Sequence, residues 1–453
     1  MGTATRVRSS EDRHGHRGRR DARSGGGRPA TGTGRPTASG ARPAAPSSTT
    51  LRIKHRTNRM GPLQLQQLVL IELALAVVLA AAAVSMLLLV PAIVVGVGLV
   101  LLAVLRRRRL SVRDWLSTVL ALRARMSAAR PLDQRVDPSL APAAEAVPGL
   151  RTYGYLDRDR RTVGMVGDGT FLTALVRVEA KGSALRPPGG ARALPLALLH
   201  DALDVDGIKL ESVQVVQHVQ PAPAPHLPEH AVARQSYAPL QQQTGAPALR
   251  LMWVALKFDP ELCREAVEAR GGGLTGAQRC LTRATDHLAS RLTGAGFLAT
   301  VLDEQELIAA LATSACANPV ATARAGLPDA APARRTQETS RVWKCDDRLH
   351  TTYGVGRWPE LGRSATPLPR LVSVLTSVPA LASTFSLTVT AGDRNGAAGV
   401  SGHVRLTGRS DAELSRARQR LEAAAREMKL GLVRLDREQL PGAVASLPLG
   451  GAR

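Results

Sequence analysis

Gly296-Phe297-Leu298-Ala299-Thr300-Val301-Leu302-Asp303-Glu304-Gln305-Glu306-Leu307 reads as a short strand that runs, through Asp303, into a helix. A like joint returns late in the chain as Gly431-Leu432-Val433-Arg434-Leu435-Asp436-Arg437-Glu438-Gln439-Leu440. Two matched joints, each closing a long stretch of short strands and helices, point to a unit present twice.

Working outward from the first joint, Thr162–Val166 and Thr170–Glu179 flank Gly167-Asp168-Gly169, a hairpin signature. Leu194–Val205 has helical spacing, Leu210–Val219 and Leu249–Phe258 alternate as strands, and 261–294 reads as two helices broken at Gly271-Gly272-Gly273. Phe297–Leu302 is then a strand and Glu304–Ser314 a helix. Around the second joint, Val342–Tyr353 is strand material, Leu368–Val378 a helix, and Phe385–Thr390 with Val400–Thr407 a strand pair. Asp411–Lys429 is a helix and Leu432–Leu435 a strand. Both stretches follow the order β-α-β-β-α-β, the split βαβ pattern. The expected domains are 151–316 and 339–453, two degenerate halves with mixed sheets and helices, joined by an Ala/Pro-rich linker at 317–338.

Ahead of these halves, Leu63 to Leu105 is a run of 43 residues whose one charged member is Glu72. A span needs about 20 apolar residues, so the run predicts two crossings, Leu65–Val84 and Leu87–Leu105, turning near Ser85-Met86 or at Pro91. Arg52, Lys54, Arg56 and Arg59 precede it and Arg106–Arg109 follow it, and basic flanks stay cytoplasmic. The expected fold class is a membrane-anchored α/β (α+β) protein: a two-helix transmembrane hairpin at 63–105, multi-pass in the inner (plasma) membrane, with the bulk of the chain cytosolic. Lipid-buried helices associate through small and polar residues. Glu72, Ala76 and Ala80 on one helix face, with Gly96 and Gly98 on the second helix, are therefore the candidate contacts to a membrane partner. Residues 106–150 read as a juxtamembrane helix, with Val112, Leu116, Val119, Leu120, Arg123 and Met126 at helical spacing and Trp115 at headgroup depth, then a Pro-rich linker.

The net charge of +23 is unevenly placed. Residues 1–62, a Gly/Arg/Ser/Pro-rich tail expected to be disordered, and residues 106–135 together hold 18 of those 23 charges and border the apolar run. A nucleic-acid domain carries its basic footprint on the folded part, so the charge favours the bilayer surface over nucleic acid as the partner. Cys263, Cys280, Cys316 and Cys345 show no C-x-x-C spacing, which leaves free thiols and no zinc site.

Reaction chemistry is absent from the motifs. There is no G-x-x-x-x-G-K-[ST], H-E-x-x-H or G-x-S-x-G. Gly294-Ala295-Gly296-Phe297-Leu298-Ala299 fits G-x-G-x-x-A but leaves a helix for a strand, the reverse of what dinucleotide binding requires. Asp157/Asp159 lie among Arg158, Arg160 and Arg161, which compete with a cation for them, and Asp204/Asp206 have the composition of a turn before Gly207. The densest run of rare side chains contains Trp343, His350, Tyr353 and Trp358. With only 3% aromatics, these rings are core or interface residues; His350, Tyr353 and Trp358 are the interface candidates. No catalytic, cofactor or metal residue set is expected.

A basic tail, an apolar block, an arginine-rich exit and a segment with Val163-Gly164-Met165-Val166-Gly167-Asp168-Gly169, supported by His350–Pro359, resemble the EccE family of type VII (ESX) secretion systems. The likeness runs from about Met60 to the C-terminus. It implies a structural, non-enzymatic membrane subunit of a translocon built with EccB, EccC and EccD, in which EccC supplies the ATPase. Two alternatives stay open: a membrane-anchored nucleotide-sugar transferase and a membrane-tethered nucleic-acid binder.

Overall fold

In Leu249–Phe258, Val254, Leu256 and Phe258 point to one side and Trp253 and Ala255 to the other, and all five are buried. A strand apolar on both sides has to be covered on both. The computed structural model describes residues 110–129, 136–180, 193–221, 249–331, 333–360, 367–392 and 398–451, with short runs and single positions elsewhere from 72 onward. These all fall within one unit, Thr50–Arg453. The expected tail at 1–62, most of 63–105, and Gly98 lie outside the described residues.

The elements run α1 (Val112–Ala128), α2 (Ala141–Ala146), β1 (Arg151–Leu156), β2 (Thr162–Gly167), β3 (Leu172–Ala180), α3 (Leu196–Asp201), β4 (Ser212–Gln220) and β5 (Leu249–Phe258). They continue as α4 (Arg264–Glu268), α5 (Gly273–Gly294), β6 (Phe297–Val301), α6 (Glu304–Ser314), α7 (Pro319–Ala325), β7 (Thr336–Glu338), β8 (Trp343–Cys345) and β9 (Arg348–Arg357). The last are α8 (Leu368–Thr376), β10 (Ala382–Thr390), β11 (Gly399–Gly408), α9 (Asp411–Glu427), β12 (Gly431–Arg434) and α10 (Gln439–Ser446).

Twelve strands form one antiparallel sheet in the order β7-β8-β9-β11-β10-β4-β5-β3-β2-β1, with β6 also on β3 and β12 also on β9. The repeat is visible in that order. β3-α3-β4-β5-α5-β6 gives the strand sequence β6-β3-β5-β4, and β9-α8-β10-β11-α9-β12 gives β12-β9-β11-β10. Each half is preceded by a hairpin (β1–β2, β7–β8) and followed by a crossing helix (α6, α10). The halves meet where β4 pairs with β10, centred on Val216 opposite Ser386.

On the first face, α5 buries Ala277, Cys280, Leu281, Ala284, Leu288 and Leu292, and α9 buries Leu414, Ala417, Leu421 and Ala425. These three- and four-residue spacings make one apolar stripe per helix. Residues from α2, α6 and α10 pack with Leu175, Val216, Trp253 and Ala255 on the second face. α6 opens with a capping box: Asp303 accepts from Glu306 N at 2.8 Å and Glu306 accepts from Asp303 N at 3.3 Å.

The expected membrane hairpin is corrected. Among the described residues no helix is long and apolar enough to cross a membrane. Apolar composition sets hydropathy, whereas spanning requires one unbroken helix as well. Nor does an apolar helix continue into α1, because Arg106–Arg107 pairs with Leu110–Ser111 as a two-stranded ribbon. In a helix Arg106 and Arg109 would stand one turn apart, like charge on like charge.

α1 is held by the folded halves. Arg125 donates from Nε and Nη2 to Glu338 at 2.8 and 3.0 Å, and from Nη2 to the Arg437 carbonyl at 2.6 Å. The Arg437 guanidinium sits 5.5 Å from the Trp115 ring, so the indole meets a protein cation where a lipid headgroup was expected. Hydrogen bonds to charged groups contribute about 1.5–3 kcal/mol each. Arg125→Ala is expected to raise amide hydrogen exchange across 112–128 at least tenfold while β4 and β10 keep their protection. Unchanged exchange in that helix would contradict this docking.

Candidate functional site

Strand alternation places a polar layer where the second face of the second half meets the crossing helices. On β11, Val404 and Leu406 face α9, so Arg405 and Thr407 face the other way. Thr352 and Thr384 flank Arg405 in register on β9 and β10, and His350 lies opposite Thr407. Arg405, Thr407, His350, Thr352, Thr384 and His218 are all fully buried.

Bonding within this layer is partial. Arg405 Nη2 donates to the Ser314 carbonyl at the end of α6. His350 Nδ1 and Thr407 Oγ1 are 3.0 Å apart, and His218 Nδ1 and Thr384 Oγ1 are 2.9 Å apart. The Trp343 and His350 rings lie 4.8 Å apart between centroids, and Arg405 Cζ is 6.0 Å from the Trp343 ring. Arg405 Nε and Nη1, His350 Nε2 and Trp343 Nε1 have no hydrogen-bond partner among the described residues.

Electrostatics follow from burial and the Arg405 guanidinium, with which no carboxylate is paired among the described residues. Burial, then the Arg405 charge, pushes His218 down to about 3. The same two causes, with Arg348 and His218 behind them, hold His350 well below the usual histidine range. Both rings are neutral near pH 7. Burial raises the Cys316 and Cys345 thiols and lowers Arg405 itself. The layer therefore offers N–H donors and a buried positive charge, with no thiolate nucleophile at neutral pH.

The interface candidates from the sequence separate. His350 belongs to this layer; Tyr353, three residues along β9, points to the opposite face and donates from Oη to Glu422 at 2.8 Å. Trp358 is 6% exposed and packs against Gly402, where an added Cβ would meet its ring at 2.6 Å. All three side chains are interior, so none is available at this surface to a partner. The reason is the scarcity of aromatics: three large rings fill core space that Leu and Val cannot. Glu72, Ala76 and Ala80 are helical and exposed, and Gly96 is helical and buried. Asp206 is bound by Arg283 at 2.8 Å, and Asp157 caps its own hairpin turn by accepting from Arg158 N at 2.7 Å. Among the described residues no cluster of His, Cys, Asp and Glu has the makings of a metal site.

Arg405 and Ser314 escaped sequence reading. Val404-Arg405-Leu406-Thr407 alternates as a half-buried strand does, with Arg and Thr on the side assigned to water. Nothing local announces that helices α6 and α10 close that side.

The stretch from β5 through α6 to β9 carries one half into the other. It supplies Trp343, His350, Ser314 and Cys316 to the buried layer. Residues 246–355 match the EccE family. The family's description is "Putative type VII ESX secretion system translocon, EccE". The EccE match thus covers the stretch that joins the halves, whereas Arg405 lies beyond it. It supports a type VII secretion translocon subunit, and the family implies a membrane component of that system. No curated protein matches the chain. Among solved structures, alkyldihydroxyacetonephosphate synthase aligns at 10% identity over 60% of this chain and 42% of that one, with a TM-score of 0.25. The chain thus spans less than half of that enzyme, and the score is too low to indicate a shared fold.

Proposed function

We propose that this chain is a non-catalytic subunit of a type VII (ESX) secretion complex, assembling with EccB, EccC and EccD at the membrane. The observation that carries the proposal is the EccE match over residues 246–355. Two features support a structural role. The layer around Arg405 is sealed from solvent, with His218 and His350 held neutral. The sheet runs unbroken through both halves, which suits a rigid scaffold.

The test is affinity purification of the tagged full-length chain from membranes in mild detergent, followed by mass spectrometry. EccB, EccC and EccD are expected in the eluate. Recovery of folded chain without any of them would overturn the proposal, as would turnover of ATP or a nucleotide-sugar that is lost in Asp157→Ala or Asp204→Ala. A parallel purification of the variant carrying Glu72→Leu, Ala76→Leu and Ala80→Leu asks whether that exposed helix face holds the contact; reduced partner yield is expected.

A further inference from the structure

Strand order and matching backbone hydrogen bonds set the two halves in register, and in that register Arg405 stands apart. Leu302 N donates to Leu175 O at 3.0 Å, and Leu435 N donates to Thr352 O at 3.1 Å. Leu175 and Thr352 are therefore equivalent positions on β3 and β9. Leu175 pairs with Ala255, and Thr352 pairs with Arg405. Counting the same distance along the crossing segments from Leu302 and Leu435 makes Ser314 the counterpart of Leu447 and Cys316 that of Leu449. In the first half this place is filled by Ala255, Leu447 and Leu449, all buried in one apolar cluster. The framework closes well over an alanine, so the arginine is not there for packing.

A buried guanidinium keeps its charge, and a charge out of water is costly unless it is paired. The buried glutamates Glu338 and Glu145 are committed elsewhere, Glu338 to Arg125 and Glu145 to Arg334, Arg335 and Thr336. No carboxylate is paired with Arg405 among the described residues. Its Nε and Nη1, the Trp343 Nε1 and the His350 Nε2 are all buried and without a partner. With Thr407 Oγ1 donating to His350 Nδ1, Nε2 carries the ring proton, and all four become N–H donors. The Trp343 ring lies 4.8 Å from the His350 ring and 6.0 Å from Arg405 Cζ, so the three side chains that carry these donors are neighbours.

We propose that Arg405, Trp343 and His350 form a buried binding site for a small monovalent anion of the halide class. One negative charge balances the one unpaired cation, and the spherical ion takes N–H donors from several directions. A tetrahedral phosphate would bring more charge and more acceptor oxygens than these groups match. The site lies at the junction of the EccE-matched stretch with β11, so its occupancy ties the end of α6 to the second half.

The purified full-length chain is melted in sodium chloride and in sodium gluconate at equal ionic strength. A ligand that binds the folded state raises the melting temperature in a saturating way. Chloride is expected to raise it by roughly 5 °C, and Arg405→Met, which puts an apolar chain where the first half has Ala255, is expected to abolish the difference. Equal melting in the two salts, or a response retained by Arg405→Met, overturns the proposal. A rise with phosphate and none with chloride overturns the halide assignment. Where Arg405→Met does not fold, bromide soaked into crystals of the wild-type chain decides: an anomalous peak beside Arg405 and Trp343 supports the site, and its absence there overturns it.

Discussion

Arg335→Ala is expected to destabilise the folded unit by about 3–5 kcal/mol, the loss typical of a buried ion pair deprived of one partner. Arg335 and Asp346 are 8% and 6% exposed at their side chains, and they bond through Nε and Nη2 at 2.8 and 2.7 Å. Burial is the largest single influence and opposes the Arg335 charge, but the Asp346 hydrogen bonds and charge, with Cys345 and Glu145 behind them, together hold the guanidinium above its ordinary value. Nη1 also donates to the Pro138 carbonyl at 2.5 Å and Nη2 to Thr322 Oγ1 at 2.9 Å. One side chain thereby joins the segment before α2, helix α7 and the turn between β8 and β9. Its backbone N–H meets Glu145, which takes Thr336 N as well at 2.7 Å. Truncation strands Asp346 as an uncompensated buried charge. Thermal unfolding should show a drop of roughly 10 °C, and Arg335→Lys should fall between, since an ammonium lacks the planar fork. A drop below about 2 °C for the alanine variant would contradict this reading of the network.

Gly164→Ala is expected to cost about 3 kcal/mol or more, at the upper end of overpacking. A Cβ at Gly164 would stand 2.3 Å from the Asp303 carbonyl oxygen and 2.7 Å from Glu304 N. Both are backbone atoms at the start of α6, fixed by the Gly164 N–H bond to Leu302 O at 2.9 Å and by the capping box. A flexible neighbour could swing aside; a capped helix start cannot. The added methyl must push α6 away from β2 and with it Leu307 and Leu311, both fully buried. The reporter is the denaturation midpoint, with Gly169→Ala for contrast. Gly169 has φ of +97° and open space around it, so that variant pays only for its backbone angle. Equal midpoints for Gly164→Ala and wild type would contradict the close approach.

Much of the repeat is legible in the sequence, because its signals are local. Leu249–Phe258 and Glu304–Ser314 have the bounds that alternation and the Asp303 cap announce. The joints at Leu302-Asp303 and Leu435-Asp436 mark equivalent places in the two halves. Features set by distant partners were hidden. β7 is Thr336–Glu338, three polar residues inside a stretch read as a linker, and it becomes a strand because β8 pairs with it and Arg125 holds Glu338. The seam between β4 and β10 depends on register between segments far apart in the chain. The run 63–105 shows the opposite: strong local hydropathy predicts continuous spanning helices, which the described residues lack. Arg405 combined both difficulties, as a polar residue on a face whose cover comes from helices of both halves.

A translocon subunit is required for export, and export is the measurement that decides its role. The gene for the chain is deleted in its host, and an ESX substrate is measured by immunoblot in culture filtrate and in cell lysate. The account predicts loss of the substrate from the filtrate with retention in the lysate, and restoration by the wild-type chain and by Asp157→Ala with Asp204→Ala alike. Undiminished export from the deleted strain would contradict it.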